Sequence, residues 1–153
     1  MYLEEEKNLK EMFGDVALAI EHIGSTSVEG LSAKPIIDIA IGVKNLSDFD
    51  KVAKKFMVEP YSVKEDSTEG EILVRKGNED NRTHFIHVME IEGKRYIESL
   101  LFRDYLRKNA WALKEYEDLK KELAIKYADD RKKYTASKNE FINKILKLAY
   151  EEK

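Results

Sequence analysis

The sequence predicts an α+β protein, a mixed β-sheet packed with helices and followed by an all-helical C-terminal segment. Three observations predict it. Short apolar runs, rich in β-branched residues, alternate with helix-length segments through residues 1–97. All 7 Gly and both Pro lie at or before Gly93, so 60 residues follow without either of the two strongest breakers of regular structure. Charge divides at the same place: residues 1–93 carry 11 basic and 19 acidic side chains, residues 94–153 carry 16 and 11. A chain of 153 residues fits one domain, read as an α/β core over 1–97 and C-terminal helices over 98–153.

The elements follow in order. Residues 2–13 read as a helix, with Leu3, Leu9, Met12 and Phe13 on one face and Gly14 as its stop. Val16 to Ile23 is apolar and reads as a strand. Gly24-Ser25-Thr26-Ser27 is turn chemistry, and Ser25 or Ser27 could cap a short helix. Pro35 opens Ile36 to Val43, a near-continuous apolar run expected as a strand buried on both faces. Ser47-Asp48-Phe49-Asp50 has the form of a capping box and starts a helix to about Met57. Tyr61–Val63, Ile72–Arg75, Phe85–Ile91 and the shorter Tyr96-Ile97 read as strands of an antiparallel meander, separated by charged turns. Helices are expected over about 99–108, over about 110–128, and from the capping box Ser137-Lys138-Asn139-Glu140 onward.

Composition excludes several functions. The absence of Cys removes a disulfide framework, an iron–sulfur cluster, a thiolate zinc site and a cysteine nucleophile. No apolar run approaches the roughly 20 residues of a membrane span. The acidic start, Glu4-Glu5-Glu6, is unlike a secretory signal, which makes the cytoplasm the expected location. A net charge of −3 argues against broad nucleic-acid affinity, so Arg131-Lys132-Lys133 reads as a solvated face.

Chemistry is concentrated around His22-Ile23-Gly24-Ser25-Thr26-Ser27 and Asp38. A strand ending in Gly-Ser, a short helix, then a strand presenting an acid is a nucleotide-handling arrangement. Gly lets a phosphate approach the backbone, and helix N-terminal N–H groups hold anionic oxygens. An acid on the next strand can bind Mg²⁺ together with substrate phosphates. The bland alternative is a capped turn beside a half-buried Asp. Ile36, Asp38 and Ala40 share one strand face. His84 and His87 should point to opposite faces.

The string Glu21-His22-Ile23-Gly24-Ser25-Thr26-Ser27-Val28-Glu29-Gly30-Leu31-Ser32-Ala33-Lys34-Pro35-Ile36-Ile37-Asp38-Ile39 closely resembles the signature of the GrpB family. Thr83-His84-Phe85-Ile86-His87-Val88, Phe102-Arg103-Asp104-Tyr105-Leu106-Arg107, Tyr116…Leu119-Lys120…Leu123 and Tyr134…Lys138…Phe141-Ile142 resemble further family segments in the same order. That family is assigned to the nucleotidyltransferase superfamily, with a DNA polymerase β-like fold.

The resemblance implies a nucleotidyltransferase-like mixed sheet and a pocket for a nucleotide or another phosphorylated small molecule. It implies a metal-dependent nucleotidyltransferase if the protein is an enzyme. Gly24, Ser25, Thr26, Ser27 and Lys34 would bind phosphate, and Arg103 and Lys138 would offset its charge. Asp38 would hold Mg²⁺, and His87 is a second catalytic candidate. His22 and His84 could join Asp38 if the metal were Mn²⁺ or Zn²⁺. The family's second acid falls on Ala40, which cannot bind a cation. The third should lie near His84–Glu90. Fusion of some relatives to dephospho-CoA kinase associates the family with CoA metabolism. Two alternatives stand beside transfer: a non-catalytic ligand-binding or regulatory module, and a metal-dependent hydrolase using Asp38 with His22 and His87.

Overall fold

The computed structural model describes residues 2–24, 36–64 and 70–152. A helix, α1 (Tyr2–Phe13), leads through a 3-10 turn into β1 (Ala19–Ile23) and then β2 (Ile37–Val43). Two 3-10 helices, Leu46–Lys51 and Ala53–Phe56, precede β3 (Tyr61–Val63), β4 (Glu71–Lys76) and β5 (His84–Glu90). Three helices complete the chain: α2 (Lys94–Lys108), α3 (Ala110–Lys126) and α4 (Arg131–Glu151). The strands form one mixed sheet in the order β1-β2-β5-β4-β3. Among the described residues, the central β2–β5 pair is parallel, and the β1–β2, β3–β4 and β4–β5 pairs are antiparallel.

Side-chain alternation gives the sheet two different faces. Ile37, Ile39, Ile41 and Val43 of β2 join Val74, Ile86 and Val88 on one face, under Leu9 and Phe13 of α1 and Phe49 and Phe56 of the 3-10 helices. This is the main core. The other face is built from Ile23, Ala40 and Met89 and is covered by Tyr96 and Leu100 of α2. Gly42 makes that approach close. A Cβ there would stand 3.0 Å from Ile91 and 3.1 Å from the Tyr96 ring. Helices α2–α4 pack on each other through Tyr105, Leu106, Ala112, Tyr116, Ile145 and Ala149. Ring contacts contribute to this packing: Tyr116 stacks on Phe141, and Tyr105 meets Trp111 edge-on.

Several expectations are corrected. Tyr96-Ile97 is helical, because α2 begins at Lys94 directly after Gly93 and sets Tyr96 onto the sheet. The segment expected as one helix to Met57 is two 3-10 helices. Its cap is Asn45, whose N–H donates to the Asp48 carboxylate at 3.2 Å, two residues earlier than the sequence pattern suggested. Helix α4 begins six residues before Ser137. Asp130 caps it by accepting the Lys133 N–H at 3.1 Å, so the Ser137–Glu140 pattern lies inside the helix. The short helix expected after Gly24 falls outside the described residues.

Candidate functional site

The sheet face under α2 carries a line of polar side chains across three neighbouring strands. Asp38 of β2 pairs in register with Phe85 of β5, and Ala40 pairs with His87. Asp38 and His87 are thus diagonal neighbours on one face. On the far side of β5, Glu71 of β4 pairs with Met89 and is diagonal to His87. The His87 Nε2 lies 2.9 Å from Asp38 Oδ1. Its Nδ1 meets Glu71 Oε1. Glu71 Oε2 accepts from Arg95 Nη1 of α2 at 3.0 Å. The line runs Asp38–His87–Glu71–Arg95, from the mouth of the sheet to the helix layer.

Both ring nitrogens of His87 face carboxylate oxygens, so both must carry a proton. Burial alone would push the His87 pKa down. The hydrogen bonds to Asp38 and Glu71, with the charge of both carboxylates, outweigh it and hold the imidazole up at about 9. Glu71 is the mirror case: burial raises its carboxyl, and the hydrogen bond and charge of His87, with Arg95, bring it below the usual range.

Gly24 closes the end of this line. It sits just past β1 with φ +73°, and a Cβ there would stand 2.7 Å from Asp38 Oδ2. A side chain would have to displace the carboxylate, and an L-residue would also strain the backbone, by roughly 1–2 kcal/mol. Gly24→Ala is therefore expected to lower stability by about that amount and to turn Asp38 away from His87. Urea unfolding and the chemical shift of the His87 ring check the two effects.

These groups line a cleft of about 670 Å³ between the sheet and α2 and α4. Lys94, Arg95 and Glu98 of α2 form one wall, and Lys138, Asn139 and Asn143 of α4 form another. The cleft thus gathers Gly24, Asp38, His87 and Lys138 from four separate elements, which the sequence had singled out one by one. Glu71, Lys94 and Arg95 were not anticipated. Glu71 opens a strand directly after Gly70, and only the β4–β5 register shows that it meets His87.

Other candidates lie elsewhere. Ser25, Thr26, Ser27 and Lys34 fall outside the described residues. His22 pairs with Ile39, so it faces away from Asp38, and its ring meets Tyr2 of α1 at 4.5 Å between centroids. His84 pairs with Ile37 on that same opposite face, where it is buried and lies 2.8 Å from the Thr83 hydroxyl. Burial is the first cause that lowers the pKa of each. Strand alternation thus separates His22 and His84 from Asp38. Of the three histidines, His87 alone shares the face that carries Asp38. Glu90 also falls on the opposite face, by the same alternation. Arg103 points inward but does not line the cleft. Its guanidinium reaches Glu21 at 3.4 Å, the His22 carbonyl at 3.2 Å and Asp104 at 2.9 Å, which ties α2 to β1.

A two-ion site needs several carboxylates converging on one place. Here Ala40 carries a methyl group, and the Asp38 and Glu71 oxygens nearest the centre accept N–H groups of His87. Among the described residues, no cluster of three or more ligating side chains could hold a metal ion. The described residues do not fit the two-metal arrangement.

The model of the family described as "GrpB protein" matches residues 1–148. The chain belongs to the GrpB family. It is 39% identical to glutamate-rich protein GrpB of Alkalihalophilus pseudofirmus over 149 residues, which is 94% of this chain and 86% of that one. It is 40% identical to UPF0157 protein YqkA of Bacillus subtilis over 141 residues, 91% of this chain, but it spans only 40% of that longer protein. The crystal structure of the conserved protein GrpB from Enterococcus faecalis matches with a TM-score of 0.86 and 37% identity, covering 99% of this chain and 91% of that one. The α+β architecture is thus common to this GrpB chain and a solved GrpB structure. No helix among the described residues is long and apolar enough to cross a membrane.

Proposed function

We propose that the cleft binds a nucleotide or another phosphorylated small molecule, and that binding rather than nucleotidyl transfer is its primary activity. One observation carries this reading. Lys94, Arg95 and Lys138 border the same cleft as Gly24 and the Asp38–His87 pair. Cationic side chains on two helices supply charge for phosphate oxygens, Lys as point charges and Arg as a planar fork. Asn139 and Asn143 add polar groups that can meet a base or sugar. A cleft of about 670 Å³ is large enough for a ligand of nucleotide size.

Ala40 favours binding over transfer. Without a carboxylate at position 40, the described residues lack the donor set that holds two ions for in-line displacement. Lys138 also serves a test. It reaches the cleft from α4, outside the Asp38–His87–Glu71 line. Calorimetric titration with ATP, GTP, CTP, UTP and pyrophosphate is expected to give saturable binding of at least one. Lys138→Ala is expected to weaken that binding about tenfold, the equivalent of roughly 1.4 kcal/mol. Absence of heat from all five compounds, with no thermal shift, would overturn the reading.

A further inference from the structure

We infer that the His87 ring holds the place of a divalent cation in this cleft, and that the cleft takes its phosphate-bearing ligand without a metal. The second half rests on the phosphate-binding reading above; the first rests on the geometry of three side chains.

Asp38 and Glu71 come from the two strands that flank β5, and their carboxylates approach His87 from opposite sides. One reaches Nε2 at 2.9 Å and the other reaches Nδ1. A neutral imidazole has a single N–H, so a ring that donates to two carboxylates is an imidazolium. A positive centre that bridges two carboxylates does the electrostatic work of a bridging cation. Its two N–H groups occupy the lone pairs that a metal would need.

Ala40 completes the substitution. It is the in-register partner of His87 on the same face and is fully buried. In-register partners on neighbouring strands stand about 5 Å apart at Cβ. A longer acidic side chain at position 40 would therefore reach the volume that the ring fills. The methyl group and the imidazolium fit together, whereas a carboxylate there would add a third negative group competing for one ring. Charge around the cleft agrees. Asp38, Glu71 and Glu98 are offset by His87, Lys94, Arg95 and Lys138, so the lining is already positive by one without any added ion.

The test is a Mn²⁺ titration of the full chain followed by electron paramagnetic resonance, with ATP binding measured by calorimetry in EDTA and in Mg²⁺. Wild type is expected to leave the free Mn²⁺ signal unchanged up to about millimolar metal, a range in which clustered carboxylates would capture it. His87→Asp puts a third carboxylate between Asp38 and Glu71, and it is expected to bind Mn²⁺ at least about tenfold more tightly than wild type. ATP is expected to bind equally well, within about threefold, in the two buffers, since lining side chains supply the positive charge. Mn²⁺ uptake by wild type that Asp38→Ala abolishes would overturn the inference. A folded His87→Asp variant with no gain in Mn²⁺ affinity would do so too, as would ATP binding that depends on Mg²⁺. If His87→Asp does not fold, the wild-type and Asp38→Ala titrations decide alone. ATP binding in neither buffer would overturn the phosphate reading, and the Mn²⁺ titration would still decide whether the ring holds the cation's place.

Discussion

Replacing His87 by alanine is expected to lower the unfolding free energy by about 3 kcal/mol near neutral pH, because it strands two carboxylates that share one positive partner. The loss falls at the lower end of what breaking a buried ion pair costs, since Glu71 keeps Arg95 at 3.0 Å. The pH dependence gives the effect a signature. The His87 pKa is raised in the folded protein, from the ordinary 6.5 to about 9. A base raised on folding stabilises the protein fully below the unfolded pKa, and this contribution is lost as pH rises through the folded one. At 1.36 kcal/mol per unit, the shift corresponds to roughly 3 kcal/mol. Wild type should therefore lose stability between about pH 6.5 and 9, while His87→Ala should stay nearly flat over that window. The two curves should be furthest apart at the acidic end and should converge above it. His22 and His84, whose pKa values burial lowers, act in the opposite sense below pH 6.5 in both proteins. Urea unfolding at intervals from pH 6 to 10 checks this. Parallel curves for the two proteins would show that His87 does not bridge the carboxylates.

Glu5→Ala is expected to be about as damaging, near 3 kcal/mol, by a related mechanism on the other face of the sheet. Glu5 is 2% exposed on the inner side of α1. It accepts from Lys76 Nζ at 2.6 Å and from the Tyr61 hydroxyl at 2.7 Å. Removing the carboxylate leaves a half-buried ammonium and a half-buried phenol without their acceptor, and each stranded group costs part of its desolvation. Burial raises the Glu5 carboxyl, and the hydrogen bonds from Lys76, Tyr61 and Asn8 more than offset it, so its pKa is lowered overall. A lowered carboxyl stabilises above its unfolded pKa and loses that contribution as pH falls through the folded one. The gap between wild type and Glu5→Ala should accordingly shrink on the acid side of about pH 4.5. Thermal unfolding at pH 3 and pH 7 measures it, and an equal gap at the two values would contradict the assignment.

The parts of the architecture that sequence made legible are those fixed by local pattern. The spacing of Leu9 and Phe13 in α1, the apolar run from Ile37 to Val43 and the Gly- and Pro-free stretch after Gly93 each point to regular structure through neighbouring residues alone, although Leu3, expected on the same face of α1, is exposed. Alternation also separated His84 from His87 correctly. Register is a different matter. It is set by pairing between strands far apart in the chain, so neither the meeting of Glu71 with His87 nor the turning of His22 towards α1 could be read from spacing. Arg103 illustrates the same limit. Its inward position was expected, yet its partners Glu21 and the His22 carbonyl are more than 80 residues away and occupy the guanidinium. Capping strings misled at Ser47 and Ser137 because the true helix starts lie earlier, at Asn45, whose N–H donates to Asp48, and at Asp130, which accepts the Lys133 N–H. Ala40 carried more meaning than its size suggests, since the residue it faces is the imidazolium.

The protonation state of His87 decides most directly whether this account of the cleft holds. NMR titration of the ring Cε1–H signals of the three histidines, with His87→Ala to assign one of them, gives it in a single experiment. The His87 signal is expected to titrate near 9, with both ring nitrogens protonated at pH 7.5, and those of His22 and His84 below 6.5. A His87 signal that titrates at or below 6.5, with a single protonated nitrogen at pH 7.5, would contradict it.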